Sequence, residues 1–211
     1  MNSLKAKKGL GNIVTGLFYQ LVTIALGILI PRLILTSLGS EANGLLSSVN
    51  QVLAYLALLE AGIGTASMQA LYGPVATGDR NAVNRIMAAT NKFYRRTGYI
   101  YAAAVLVFAA VYCLFVKTSL PATLVFSVIV LSGASSVLSY FVQGKYRVLM
   151  GAEGKGYILT NISTAAAILT SVCKILLLVW GFGVVPIQGM YLFFSFLQML
   201  LVVRYIRRDY K

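Results

Sequence analysis

Residues 30–66 read IPRLILTSLGSEANGLLSSVNQVLAYLALLEAGIGTA, two apolar runs with an arginine and a glutamate set inside them. Arg32 follows Pro31 near the end of the first run, and Glu60 lies deep in the second, just ahead of Gly62 and Gly64. The first run reaches back to about residue 13 and the second on to about residue 71. Both exceed the roughly 18 residues that let a helix cross a hydrocarbon layer of about 30 Å. An ionisable side chain at the centre of such a helix costs about 2.5–3.5 kcal/mol on insertion scales, so it is kept for a partner, a wet cavity or a task. Pro31, Gly62 and Gly64 are the helix-breaking residues that let the backbone bend beside these charges.

Working outward, the same kind of apolar run recurs along the chain. Of 211 residues 59% are hydrophobic and 11% charged. The runs predict an all-α polytopic membrane protein, a single six-helix lobe over residues 1–211 with spans at about 13–38, 43–71, 98–116, 122–142, 157–180 and 184–203. The net charge of +13 is topological and does not indicate a nucleic-acid partner, because the lysines and arginines fall in the polar gaps. All of them lie on one side of the predicted membrane except Lys117 in an outer loop and Arg32 and Lys174 within spans. By the positive-inside rule both termini face the cytoplasm.

The longest gap has a pattern of its own. Asp79 is placed to cap a helix over about 79–96, with Val83, Ile86, Met87, Thr90 and Phe93 at helical spacing and Arg85, Lys92, Arg95 and Arg96 around them. This predicts an amphipathic helix lying in the cytoplasmic interface, anchored to anionic lipid or docking a partner.

Within the spans, polar and small residues fall on stripes when the chain advances 100° per residue. One stripe holds Ser132, Ser135, Ser136, Ser139 and Gln143; another Gln188, Tyr191, Ser195 and Gln198. A third runs through Thr160, Ser163, Ala167 and Thr170 to Lys174, and a fourth through Asn12, Thr15, Gly16, Tyr19 and Thr23. Asn50 and Gln51 begin a fifth, which continues to Gln69. Such faces serve close helix packing or line a water-filled cavity. On the cavity reading the candidate lining residues are Asn50, Gln51, Ser135, Ser139, Gln143, Thr170, Gln188 and Ser195. Lys174 lies on its polar stripe, whereas ideal helices put Arg32 and Glu60 opposite theirs. Arg32 therefore either snorkels or is turned into the cavity by a bend at Pro31, and Glu60 is a structural ion-pair partner or a coupling site.

An enzyme is not indicated. There is no histidine, the five acidic residues are scattered, and no glycine-rich nucleotide loop is present. Cys113 and Cys173 fall inside apolar runs with no Cys-x-x-Cys spacing, so neither a metal nor a cofactor is expected.

Several stretches resemble a known family. Pro31-Arg32, Leu38-Gly39, Asn43-Gly44 and LLEAGIGTA at 58–66 are similar to the first two helices of the Wzx-type lipid-linked oligosaccharide flippases, members of the multidrug/oligosaccharidyl-lipid/polysaccharide exporter superfamily. YRVLMGAEGKGYI at 146–158 resembles that family's loop between helices 4 and 5. The resemblance implies a transporter in the bacterial cytoplasmic membrane. It would move a polyprenyl-pyrophosphate-linked oligosaccharide from the cytoplasmic to the outer leaflet for polysaccharide biosynthesis, without hydrolysing nucleotide. Arg32 and Lys174 would then hold the pyrophosphate, a task for which arginine's paired donors suit phosphate oxygens. Membrane lipid and the lipid-linked glycan would be its partners. Family members have two lobes, and this chain resembles the first alone, so a missing second lobe or a second copy of the chain is expected beside it. A drug exporter of the same superfamily and a non-transporting scaffold of glycan assembly are the alternative readings.

Overall fold

The structure, a computed structural model, describes residues 2–60 and 62–209, the side chains at 2–8, 59, 143 and 209 excepted. The described residues form helices α1 (Asn2–Ala57), α2 (Ile63–Thr77), α3 (Arg80–Phe115), α4 (Ala122–Leu138), α5 (Gly144–Ala152), α6 (Gly156–Val179) and α7 (Val184–Asp209), with no strand among them. A 3-10 turn, Leu58–Glu60, follows α1, and a π turn, Ser139–Gln143, joins α4 to α5. Five segments are long and apolar enough to cross a membrane: Gly9–Ala57, Arg80–Phe115, Ala122–Val142, Gly156–Val179 and Val184–Arg208. The fold is all-α and the chain is a multi-pass membrane protein.

The first of these segments is 49 residues long. A straight helix of that length would measure about 73 Å, more than twice the hydrocarbon thickness. It does not stay straight, because Gly39 takes φ 86 and ψ 175, a non-helical conformation that side chains with a Cβ rarely adopt. Contacts along the chain follow the change of direction. Glu41 accepts hydrogen bonds from the hydroxyls of Ser119 and Thr118, the Tyr101 hydroxyl donates to the Leu53 carbonyl at 3.3 Å, and the Tyr94 hydroxyl donates to Glu60 Oε1 at 2.6 Å. Residues 41–60 therefore run antiparallel to α3. Before the break, Asn12 Nδ2 donates to the Gly154 carbonyl at 3.1 Å, and Gly27 and Pro31 share a cavity with Lys174, so this half runs alongside α6 in the same direction.

The break in α1 at Gly39 falls where the sequence reading ends its first span, and at Pro31, where a bend is expected, the backbone keeps helical angles. Two boundaries differ from the sequence reading. The run expected at 43–71 is divided: α1 ends at Ala57, Gly62 takes φ 95, and α2 starts afresh at Ile63. The interfacial helix and the third span, expected as separate pieces, are one helix of 36 residues. Nothing between residues 94 and 98 breaks it, since Thr97 and Gly98 are buried and Gly98 admits the Phe141 ring, which a Cβ there would meet at 3.1 Å.

The N-terminal half of α3 keeps the amphipathic period but applies it to the protein. Asp79 caps it, its carboxylate accepting from the Ala82 N–H at 3.0 Å. Val83, Ile86 and Met87 pack into the core, Thr90 is buried, and Arg85, Lys92, Arg95 and Arg96 are exposed. Its partners are α2 and α5, which also meet directly where Met68 lies over Gly151. At about 54 Å, α3 is longer than the hydrocarbon is thick, which leaves this charged half projecting beyond it.

The main core joins Val49, Leu71, Tyr101, Val105, Ile129 and Ile187, all but sealed from the surface. A smaller cluster of Met150, Val202 and Ile206 ties the end of α7 to α5. Helices α4, α6 and α7 and the first half of α1 leave a space between them, lined by residues of all four.

Candidate functional site

That space is a cavity of about 530 Å³. From α1 it takes Tyr19, Thr23, Gly27 and Pro31, and from α4 and the π turn Ser135, Ser136 and Ser139. Helix α6 contributes Ser163, Thr170, Ser171 and Lys174, and α7 contributes Tyr191, Ser195 and Gln198. Arg147 of α5 completes the wall. Lys174 and Arg147 are cations, and among the described residues no carboxylate lines the space.

The hydroxyls are not neutral bystanders in what such a space binds. Ser135 Oγ donates to the Ser132 carbonyl at 2.8 Å, Thr170 Oγ1 to the Ala166 carbonyl at 2.7 Å, and Ser195 Oγ to the Tyr191 carbonyl at 2.8 Å. Each has given its proton to its own helix, which satisfies the hydroxyl in an apolar setting and leaves its oxygen able only to accept. A ligand's hydroxyl can donate to such an oxygen. A phosphate oxygen, which only accepts, cannot use it and must turn to Lys174 or Arg147. Lys174 is half-buried, with its ammonium 4.8 Å from the centroid of the Tyr191 ring, a cation–π contact that holds the charge over the cavity. Among the described residues no carboxylate pairs with it.

Of the sequence candidates, Ser135, Ser139, Thr170, Ser195, Lys174 and Pro31 meet at this cavity. Asn50 and Gln51 are exposed on the other half of α1, where Gln51 Nε2 donates to the Tyr55 hydroxyl at 3.3 Å. Gln188 is buried but stands outside the lining, and the side chain of Gln143 lies outside the described residues. Arg32 is exposed and also outside the lining.

Glu60 is held apart from the cavity by the Tyr94 hydroxyl. This pairing explains both neighbouring glycines. Gly62 supplies the positive φ, and Gly64, inside α2, leaves room for the pair, since a Cβ there would approach the Tyr94 hydroxyl to 3.0 Å. Gly144 clears the other side of Tyr94, whose ring a Cβ would meet at 2.4 Å. Tyr94→Phe is expected to lower stability by about 1–3 kcal/mol, because it strips a donor from a half-buried carboxylate. Thermal unfolding in detergent measures it, and an unchanged midpoint would show that water replaces the tyrosine at no cost.

Arg147 is the lining residue that the sequence reading assigned to a loop. Ser139, Gln143 and Arg147 recur every fourth residue, a continuation that becomes visible once the helix is carried through residue 142 into α5. The π turn makes the continuation possible: the Gly144 N–H bonds to the Ser139 carbonyl, five residues back, and the chain proceeds without leaving the helix.

Among the described residues no three histidine, cysteine, aspartate or glutamate side chains gather as a metal site, and Cys113 and Cys173 are unpaired. No family model matches this chain, and comparison with curated proteins and with solved structures gives no match. The fold and the site together define a class: a helical, multi-pass membrane protein with a polar, cationic cavity among its helices.

Proposed function

We propose that this chain is a transporter lobe that binds the anionic head of a polyprenyl-pyrophosphate-linked oligosaccharide and takes part in moving it from the cytoplasmic to the outer leaflet. The observation that carries this reading is the division of labour in the cavity: Lys174 and Arg147 supply donors for pyrophosphate oxygens, and back-bonded hydroxyls supply acceptors for sugar hydroxyls. The resemblance to the Wzx-type flippases supports the same cargo. Six crossings with both termini cytoplasmic are part of the proposal, the segment Gly9–Ala57 counting as two spans that turn at Gly39. The placement of basic residues supports that orientation, in a bacterial cytoplasmic membrane. Asn50 and Gln51, exposed on a membrane-spanning helix, support a second lobe or a second copy of the chain facing them, since lipid tails offer a polar face no partner.

One observation favours a second reading, a scaffold without transport. Hydroxyls bonded to their own carbonyls are also what closely packed membrane helices show. Water access separates the two. In a chain with Cys113 and Cys173 replaced by alanine, single cysteines at Ser135, Thr170 and Ser195 are expected to react with a membrane-impermeant thiol reagent, and inorganic pyrophosphate is expected to slow that reaction. Three unreactive positions would favour the scaffold; reaction without protection would leave a wet cavity with no anion site.

A further inference from the structure

A second, smaller cavity of about 270 Å³ lies against the first, between α6 and α7. Its own lining is Ile162, Ala165, Leu169, Leu197 and Leu201, with Asn161 at one end. Leu169 and Leu201 are about half exposed, so the groove opens on the outer surface of the bundle. The two cavities share Ala166, Phe194 and Gln198 as a common wall. They are opposite in character. One side of that wall has hydroxyls and two cations, and the other is apolar almost throughout.

The wall is thin. Ala166 is a single methyl, Phe194 is an aromatic side chain with rotational freedom about two bonds, and Gln198 is held by one hydrogen bond, its Nε2 donating to Ser163 Oγ at 3.0 Å across the two helices. A purely polar ligand has no use for an apolar groove beside its site, and a purely apolar one has no use for Lys174. A molecule with both parts uses both. If its head is held in the polar cavity, its chain must leave without lying along serines and threonines, and the adjoining outlet to hydrocarbon is this groove.

We propose that the α6–α7 groove holds a segment of the hydrocarbon chain of an anionic amphiphile whose head group occupies the polar cavity, with Phe194 and the Gln198–Ser163 contact forming the gate between the two. The inference rests on the reading of the cavity as an anion site, and the experiment separates the two. In the full chain reconstituted in vesicles, Trp180→Phe removes the one native tryptophan, and Leu169→Trp adds a reporter at the groove. Leu114→Trp, on a strongly exposed position of α3, is the control. The probes are phosphatidic acid and phosphatidylcholine with identically brominated chains, which quench tryptophan on contact.

The expected result is saturable quenching of Leu169→Trp by the anionic lipid at a lower mole fraction than by the zwitterionic one, with no such preference at Leu114→Trp. Lys174→Gln is expected to weaken the preference about tenfold, the loss of one charge-assisted hydrogen bond. Ala165→Phe, which fills the groove, is expected to abolish it while leaving pyrophosphate protection of Ser135→Cys intact. Protection by pyrophosphate without any anionic preference at the groove overturns this inference and leaves the anion site standing. Absence of both overturns both. A preference that survives Lys174→Gln and Ala165→Phe is surface attraction to the basic end of the bundle and also overturns the inference.

Discussion

Replacing Lys174 with glutamine is expected to cut movement of the lipid-linked glycan about ten- to a hundredfold, the equivalent of the roughly 1.5–3 kcal/mol carried by a hydrogen bond to a charged group. The size of the effect follows from how few donors could take its place, Arg147 being the other cation that lines the cavity. The neighbouring hydroxyls of Thr170 and Ser195 have their protons committed to their own helices, so neither can donate to a phosphate oxygen in its place. Glutamine keeps about the length and can still donate, but without charge. Lys174→Arg is expected to retain most of the activity. Arg32→Ala is the comparator: this residue is exposed and outside the cavity, and its loss is expected to leave movement unchanged. Glycan export in membranes carrying each variant at equal abundance measures all three. Normal export by Lys174→Gln together with loss in Arg32→Ala would reverse the assignment and move the anion site to the outer face of α1.

The contrast between these two cations shows what could be read from the chain alone. A helical stripe is visible in sequence because 100° per residue is a property of the backbone, and the stripes through Ser135, Thr170 and Ser195 do meet at one cavity. The direction a stripe faces is a property of packing. Asn50 and Gln51 form as clear a stripe as any, and they point outward because Val49, Leu45 and Leu46 on the other side of the same helix fill the core. No periodicity distinguishes an inward polar face from an outward one. Glu60 stands out in the sequence by its charge, yet its Tyr94 partner is 34 residues away, at a distance in sequence that only the antiparallel course of α3 closes.

A helix end was legible where a backbone requirement coincides with a residue that meets it, as where Asp79 caps α3. Gly62, read as helix-breaking inside one continuous span, instead takes the positive φ from which α2 starts. Pro31 is no guide to the break, because a proline's lost donor and ring clash make a helix costlier without dictating where it ends, and α1 keeps helical angles through it. The π turn at Ser139–Gln143 left no local signature, and it concealed Arg147. Its cause is tertiary, in that Tyr140 and Phe141 are committed to ring contacts with Tyr101 and Tyr99 on α3, and an extra residue in the turn accommodates them.

The same α3–α4 contact supports a stability prediction of comparable weight. Gly133→Ala is expected to destabilise the fold by about 1–3 kcal/mol, as overpacking of a well-filled core does. The added methyl would lie 2.4 Å from one γ-methyl of Val105 and 2.8 Å from the other. Rotation of the valine offers no relief, because turning one methyl away brings the other in, and at 3% exposure Val105 has no surface to retreat to. Alanine's better helix propensity, about 1 kcal/mol over glycine, opposes this and sets the lower end of the range. Pairing the two positions isolates the cause. Val105→Ala alone is expected to cost about 0.8 kcal/mol for each carbon group removed from the core. In the double variant the two costs should fail to add by about 1 kcal/mol or more, because the methyl supplied at 133 fills the space vacated at 105. Unfolding midpoints in one detergent for the four chains give the coupling directly. Strict additivity would mean that α3 and α4 do not approach as closely as Gly133 implies, and the registry that carries Ser135 and Ser139 to the cavity would have to be redrawn with it.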